Sequence, residues 1–162
     1  MASYIEYNVV MSVPRSVRFA DEVIRRLDRY VRSHPGSSAS SVTNLFVDEA
    51  IRAEEHPGIM FRPGPTGRRA AVVGGPDVWE VIATLHIVRS AEPDLEGDSL
   101  VTAVTEALGQ TERKVRVATR YYAAYPDEID NRISFNNELA DEAEAAWLTE
   151  QRLLRQPGDQ AS

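Results

Sequence analysis

Cysteine is absent from all 162 residues, which excludes a disulfide framework, a thiol nucleophile and any zinc site built on thiolates. Histidine is nearly absent too. His34, His56 and His86 stand alone, in or beside loops or on an apolar helical face, and no two share the i, i+4 spacing that lets one helix hold a metal. Gly74-Gly75 lacks the lysine and the spacing of a phosphate-binding loop, so it reads as a turn. Acidic pairs are scattered over helical faces with no nucleophile or orienting base nearby. No catalytic residue, metal or cofactor is expected. Long apolar runs are also missing: nothing approaches the roughly 18 residues of a membrane span. Met1 to Val13 is partly apolar but carries Glu6 and no basic leader. These absences predict a cytoplasmic protein with no membrane partner.

What is present is apolar patterning. Hydrophobic residues make up 43% of the chain, enough for real cores. Net charge is −7, and nearly all the excess lies at one end: residues 127–162 hold nine acids against three bases. The preceding residues are almost neutral, so a local basic surface there stays open, and the acidic end suggests a segment for a basic partner.

Ile5, Tyr7, Val9, Met11 and Val13 recur at every second position, a period of two that predicts an extended strand. Pro14 interrupts it. Val17 and Phe19 keep the same parity, which turns Ser16 and Arg18 to the opposite face. Asp21 and Glu22 then open a helix, placed where negative charge meets the positive end of the helix dipole. Val23, Ile24, Leu27, Tyr30 and Val31 form its apolar face, and His34-Pro35-Gly36 ends it near Ser33. Ser40 or Ser41 is expected to cap the next helix, whose stripe is Val42, Leu45, Phe46, Ala50 and Ile51. A short strand and two helices of about 40 residues cannot bury enough apolar surface alone. Pairing the strand with that of a second copy, across a two-fold axis, solves this.

Ile59-Met60-Phe61 and Ala70-Ala71-Val72-Val73 flank Pro63-Gly64-Pro65-Thr66-Gly67, a hairpin pattern. Asp77 is placed to cap a helix carrying Val78, Trp79, Val81, Ile82, Leu85 and His86. A helix from about Asp98 to Leu108, a stop at Gly109 and a helix beginning at Thr111 form a helix-turn-helix layout. Pro126 ends that last helix. Trp79, Tyr121 and Tyr122 read as core rather than as a binding platform. Arg113, Lys114, Arg116 and Arg120 are open to two readings, phosphate contacts or a solvated face. The region from Ile129 to Arg155 is rich in Glu, Ala and Leu and predicts an amphipathic helix, with Gln156 to Ser162 fraying.

The stretch from Arg15 to Leu27 resembles the ribbon-helix-helix family of DNA-binding proteins, a resemblance that covers about 40 residues. It implies a dimer whose paired strands enter the major groove, with Ser16 and Arg18 as base readers and Ser40 and Ser41 holding a phosphate. Arg15 stands where a third apolar strand residue is common, and Pro14 where a further reader would lie. The segment from Ile59 to Asn131 is similar to a helix-turn-helix-like domain of unknown function found in antitoxins paired with PIN-type ribonuclease toxins. Thr66-Gly67-Arg68-Arg69, Gly74 to Val81 and Val117 to Ile129 carry that similarity. Together the two look like a VapB-type antitoxin. The combination implies binding of operator DNA, with Arg116 and Arg120 as further DNA contacts, and a PIN-type toxin as partner. The toxin would be covered by the C-terminal helix: Phe135, Leu139, Trp147, Leu148, Leu153 and Leu154 would anchor it, and Arg152 and Arg155 would pair with the toxin's carboxylates.

The expected architecture is therefore mainly α with short β elements. An extended segment (1–14) precedes a ribbon-helix-helix dimer unit (15–56), a small helix-turn-helix-like domain (57–131) and an acidic C-terminal helix and tail (132–162). Two alternatives are a transcriptional regulator without a toxin partner and an interaction subunit without DNA binding.

Overall fold

The computed structural model describes residues 16–155. The alternating segment Met1–Val13, Pro14, Arg15 and the tail from Gln156 to Ser162 lie outside the described residues. The chain is mainly helical with one small sheet: α1 (Asp21–Ser33), α2 (Ala39–Glu55), β1 (Ile59–Arg62), β2 (Arg69–Val72), α3 (Val78–Ala91), α4 (Gly97–Leu108), α5 (Glu112–Ala124) and α6 (Pro126–Arg155). It divides into two compact units, Met1–Val47 and Asp48–Ser162, with the division inside α2.

In the first unit, residues 16–20 are exposed and form no strand, with Ala20 in an extended conformation before α1. Asp21 and Glu22 occupy the first turn of α1 and Arg32 the last, both favourable to the helix dipole. Tyr30 stacks on His34 at 3.9 Å and meets Phe46 of α2 edge-on at 5.1 Å. The cap of α2 differs from expectation. Ser38 rather than Ser40 or Ser41 precedes the helix: its hydroxyl oxygen accepts from the Ser41 amide at 3.1 Å, while Ser41 Oγ accepts from the Ser38 amide at 3.0 Å. This reciprocal pair is a capping box with serine in the role usual for glutamate.

The second unit buries its own core. β1 and β2 pair antiparallel with Ile59 opposite Val72 and Arg62 opposite Arg69. Ile59, Ala70 and Val72 of this hairpin pack with Val78, Val81 and Ile82 of α3, Leu100 and Val104 of α4, Val115, Ala118 and Tyr121 of α5, and Ile129 of α6. The turn before β1 needs glycine twice over. Gly58 has φ +100°, and a Cβ there would sit 3.2 Å from both methyl groups of Val117. Pro126 ends α5 and also opens α6, as a proline tolerated in a first turn.

The hairpin register sets two arginines directly opposite each other, an arrangement that repels unless something lies between. Asp77 supplies it. Its carboxylate is 3% exposed and accepts from Arg62 Nε at 2.7 Å, from Arg69 Nε, and from the indole Nε1–H of Trp79 at 3.3 Å. The Asp77 amide donates to Glu80 Oε2 at 2.7 Å, so the same residue starts α3 and ties it to both strands. Removing one partner of a buried charge cluster strands the others. Asp77→Ala is therefore expected to cost about 3–5 kcal/mol. Arg62→Ala, at a half-exposed site, should cost no more than about 1 kcal/mol. Urea unfolding followed by tryptophan fluorescence checks both, and an Asp77→Ala loss no greater than that of Arg62→Ala would contradict the assignment.

Candidate functional site

The N-terminal candidates lie on the extended lead into α1. Ser16 and Arg18 are exposed, as are Val17 and Phe19, at 64% and 39%. Not one residue of α1 is buried, although Val23, Ile24, Leu27, Tyr30 and Val31 line one face. Arg25, Arg29 and Arg32, spaced four and three apart, gather on the opposite face. Together with Arg18 they carry no ion pair among the described residues, whereas Arg26 is paired with Glu22. This basic face was readable from spacing and was not among the expected contacts. Ser40 is exposed at the start of α2, while the Ser41 hydroxyl is taken up in the cap. Met1–Val47 holds six bases against four acids, net +2, and Asp48–Ser162 holds twelve against twenty-one, net −9. Net positive charge is thus found only in the unit that carries Ser16 and Arg18.

The middle candidates separate. Arg116 donates to Asp98 at 2.7 Å and lies 3.9 Å from Glu112; the Asp98 hydrogen bond raises its pKa further above the ordinary arginine value. The pair is a surface one, with Arg116 partly and Asp98 largely exposed. Lys114 donates to the Gly74 carbonyl at 2.6 Å and to Gln110 Oε1 at 2.9 Å. Arg113 and Arg120 are exposed without an ion pair among the described residues and share one face of α5, seven residues apart. Val117 lies between them. Two depressions flank it, of about 500 Å³ beside Arg113 and about 470 Å³ beside Arg120 and His56. Tyr121 is fully buried, and Trp79 and Tyr122 pack against the same core.

Sequence reasoning missed Arg52. Its guanidinium lies within 5.3 Å of the ring centres of Phe61, Tyr121 and Tyr125, and 3.9 Å from the last. It also donates to the Tyr121 hydroxyl and to Glu128, and at 3.2 Å to Asp48. Burial lowers the pKa of Arg52, but the bond and charge of Glu128 outweigh that and raise it overall. Burial chiefly, and then Glu128, pushes the Tyr121 hydroxyl well above its usual range, so it stays a neutral donor. This cluster holds the end of α2 against β1, α5 and α6, as does the Glu49–Arg68 pair at 2.7 Å. Arg52→Lys keeps the charge but loses the planar fork, and is expected to cost about 1–2 kcal/mol in denaturant titration. No change would show the cluster to be incidental.

The C-terminal candidates share one helix of 30 residues. Ile129 is buried and Ile133 packs against the core; beyond Ile133, no residue of α6 is buried. Phe135, Leu139, Trp147, Leu148, Leu153 and Leu154 are all exposed, Trp147 at 55%. They do not share one face. Phe135, Leu139 and Leu153 lie along one line with Ala143, Ala146 and Glu150, at successive spacings of four, four, three, four and three. Trp147 and Leu154 border it. Leu148, Arg152 and Arg155, spaced four and three, fall on the opposite side with Asp141. Arg152 donates to the Leu148 carbonyl and to Thr149 Oγ1 of its own helix. At the foot of the free helix, Phe135 borders a depression of about 280 Å³ with Thr66, Glu128, Asn131 and Arg132. Arg132 fastens the hairpin loop there, donating to Thr66 Oγ1 at 2.6 Å.

Among the described residues no helix is long and apolar enough to cross a membrane, and no three acidic or histidine side chains gather to hold a metal ion. Comparison with protein-family models, with curated proteins and with solved structures returns no match to this chain.

Proposed function

We propose that this protein is a dimeric, operator-binding antitoxin of the ribbon-helix-helix type that neutralises a PIN-type ribonuclease encoded beside it. One observation carries the reading: α1 has a well-formed apolar face and not a single buried residue. An amphipathic helix of this kind is stable because its apolar face meets a core. Val17, Phe19, Val23 and Ile24 stay between 39% and 64% exposed, as do Leu45 and Val47 on α2. Fully burying an exposed side chain of this size is worth about 1.5–3 kcal/mol, and covering the half that remains open on each contributes to association of two copies. A second copy supplies the missing cover if the two extended segments pair antiparallel, with Val17 and Phe19 turned inward. Ser16 and Arg18 then point outward, where arginine can grip the O6 and N7 of guanine.

The charge partition supports the same assignment. The +2 unit carries the base readers together with the basic face of Arg25, Arg29 and Arg32, suited to phosphates. The −9 unit is unsuited to nucleic acid and carries instead a long uncovered helix. That helix presents Phe135, Leu139, Trp147, Leu153 and Leu154 for a partner's groove.

Phe19→Lys is expected to give monomers in analytical ultracentrifugation and to abolish operator binding, because it places a charge in the shared core. Arg18→Ala should leave the dimer intact and remove preference for the protein's own upstream DNA in gel shifts. Wild-type affinity should fall steeply with salt, about one unit of log-log slope per phosphate contact. A Phe19→Lys protein that still dimerises and shifts DNA would end the ribbon reading. Truncation after Ile133 spares the packed turns of α6. It should release the nuclease while dimer and operator binding persist; continued neutralisation would remove α6 from that role.

A further inference from the structure

The free part of α6 shows what its partner must supply. Its apolar line contains one charge: Glu150, set between Ala146 and Leu153 and bordered by Trp147 and Leu154. The other acids of the free helix, Glu138, Asp141, Glu142 and Glu144, lie at its margins or on the far side with Arg152 and Arg155. A groove that covers Phe135, Leu139, Trp147 and Leu154 therefore covers Glu150 as well. A carboxylate taken from water into an apolar interface needs a cation or strong donors opposite it.

A second copy of this chain fits poorly, since it would bring another Glu150 and no base. Arg152 and Arg155 point away from the line in both copies, and like charges in one interface repel. We infer that α6 seats in an apolar groove of the partner protein whose wall carries an arginine or lysine opposite Glu150, with Arg152 and Arg155 left on the solvent side. The inference rests on α6 being the partner-binding segment and adds the chemistry of the partner. The depression beside Phe135 continues the seat onto the body of the protein, at the hairpin loop that Arg132 holds.

The test uses the full chain and, as probe, the PIN-type nuclease encoded beside it, in titration calorimetry and nuclease inhibition. Glu150→Lys is expected to weaken binding about a hundredfold, and Glu150→Gln less. The double variant Arg152→Ala, Arg155→Ala should change affinity less than about threefold. Loss of binding in the double variant with Glu150→Lys unaffected would overturn the inference and leave the partner reading standing. Failure of the unaltered protein to bind the nuclease would overturn both. Ultracentrifugation of Leu139→Lys without partner separates the remaining occupant: the assembly state should not change. Dissociation would show that a second copy covers this face, against the inference. Circular dichroism of each variant verifies that α6 is still formed.

Discussion

The carboxylate of Asp77 sits where two arginines face each other across a hairpin, and the second unit is assembled around that contact. Pairing Ile59 with Val72 forces Arg62 opposite Arg69, and the repulsion disappears only because Asp77 reaches in from the start of α3. The same residue receives Trp79 and begins the helix that carries Val78, Val81 and Ile82 into the core. Sheet, helix start and core register are thereby one cooperative arrangement. Arg52 plays a similar part on the other side, gripping Tyr121 and Glu128 while lying against three aromatic rings. Both clusters pair charges that would otherwise read as surface and tie the start of α3 and the end of α2 to the hairpin and the core.

In Met1–Val47 the amphipathic helix α1 has no fully buried residue, and neither has α6 beyond Ile133. The two differ in charge. One carries a basic face opposite its apolar one, and the other an acidic back with a single carboxylate inside its apolar line. Under the proposed function, a second copy and nucleic acid complete the first and a basic groove of a different protein the second, and the two could then be coupled through avidity if that partner is dimeric.

The helices, the hairpin and the breaks between them were legible in the order of residues, because periodicity and the Pro and Gly signals are local. The apolar residues of the core were also legible, including the reading of Trp79 and Tyr121 as packed side chains. Three features were not. Which of several serines caps α2 depends on the backbone path through Ser37 and Ser38, so Ser38 was passed over. Arg52 looks like an ordinary surface residue of α2 until the chain brings Glu128, 76 positions away, beside it. Arg116 looks like an unpaired arginine of α5 until the fold sets Asp98 of the preceding helix beside it. The split of α6 into two faces, with Leu148, Arg152 and Arg155 opposite Phe135 and Leu139, was available from spacing.

Local rules by themselves determined that this is a chain of amphipathic helices with one hairpin, because helix caps, strand alternation and turn residues act over a few positions. Only the tertiary arrangement decided which charges are consumed and which apolar faces stay open. Neutralisation and burial depend on neighbours that the linear order places tens of residues apart.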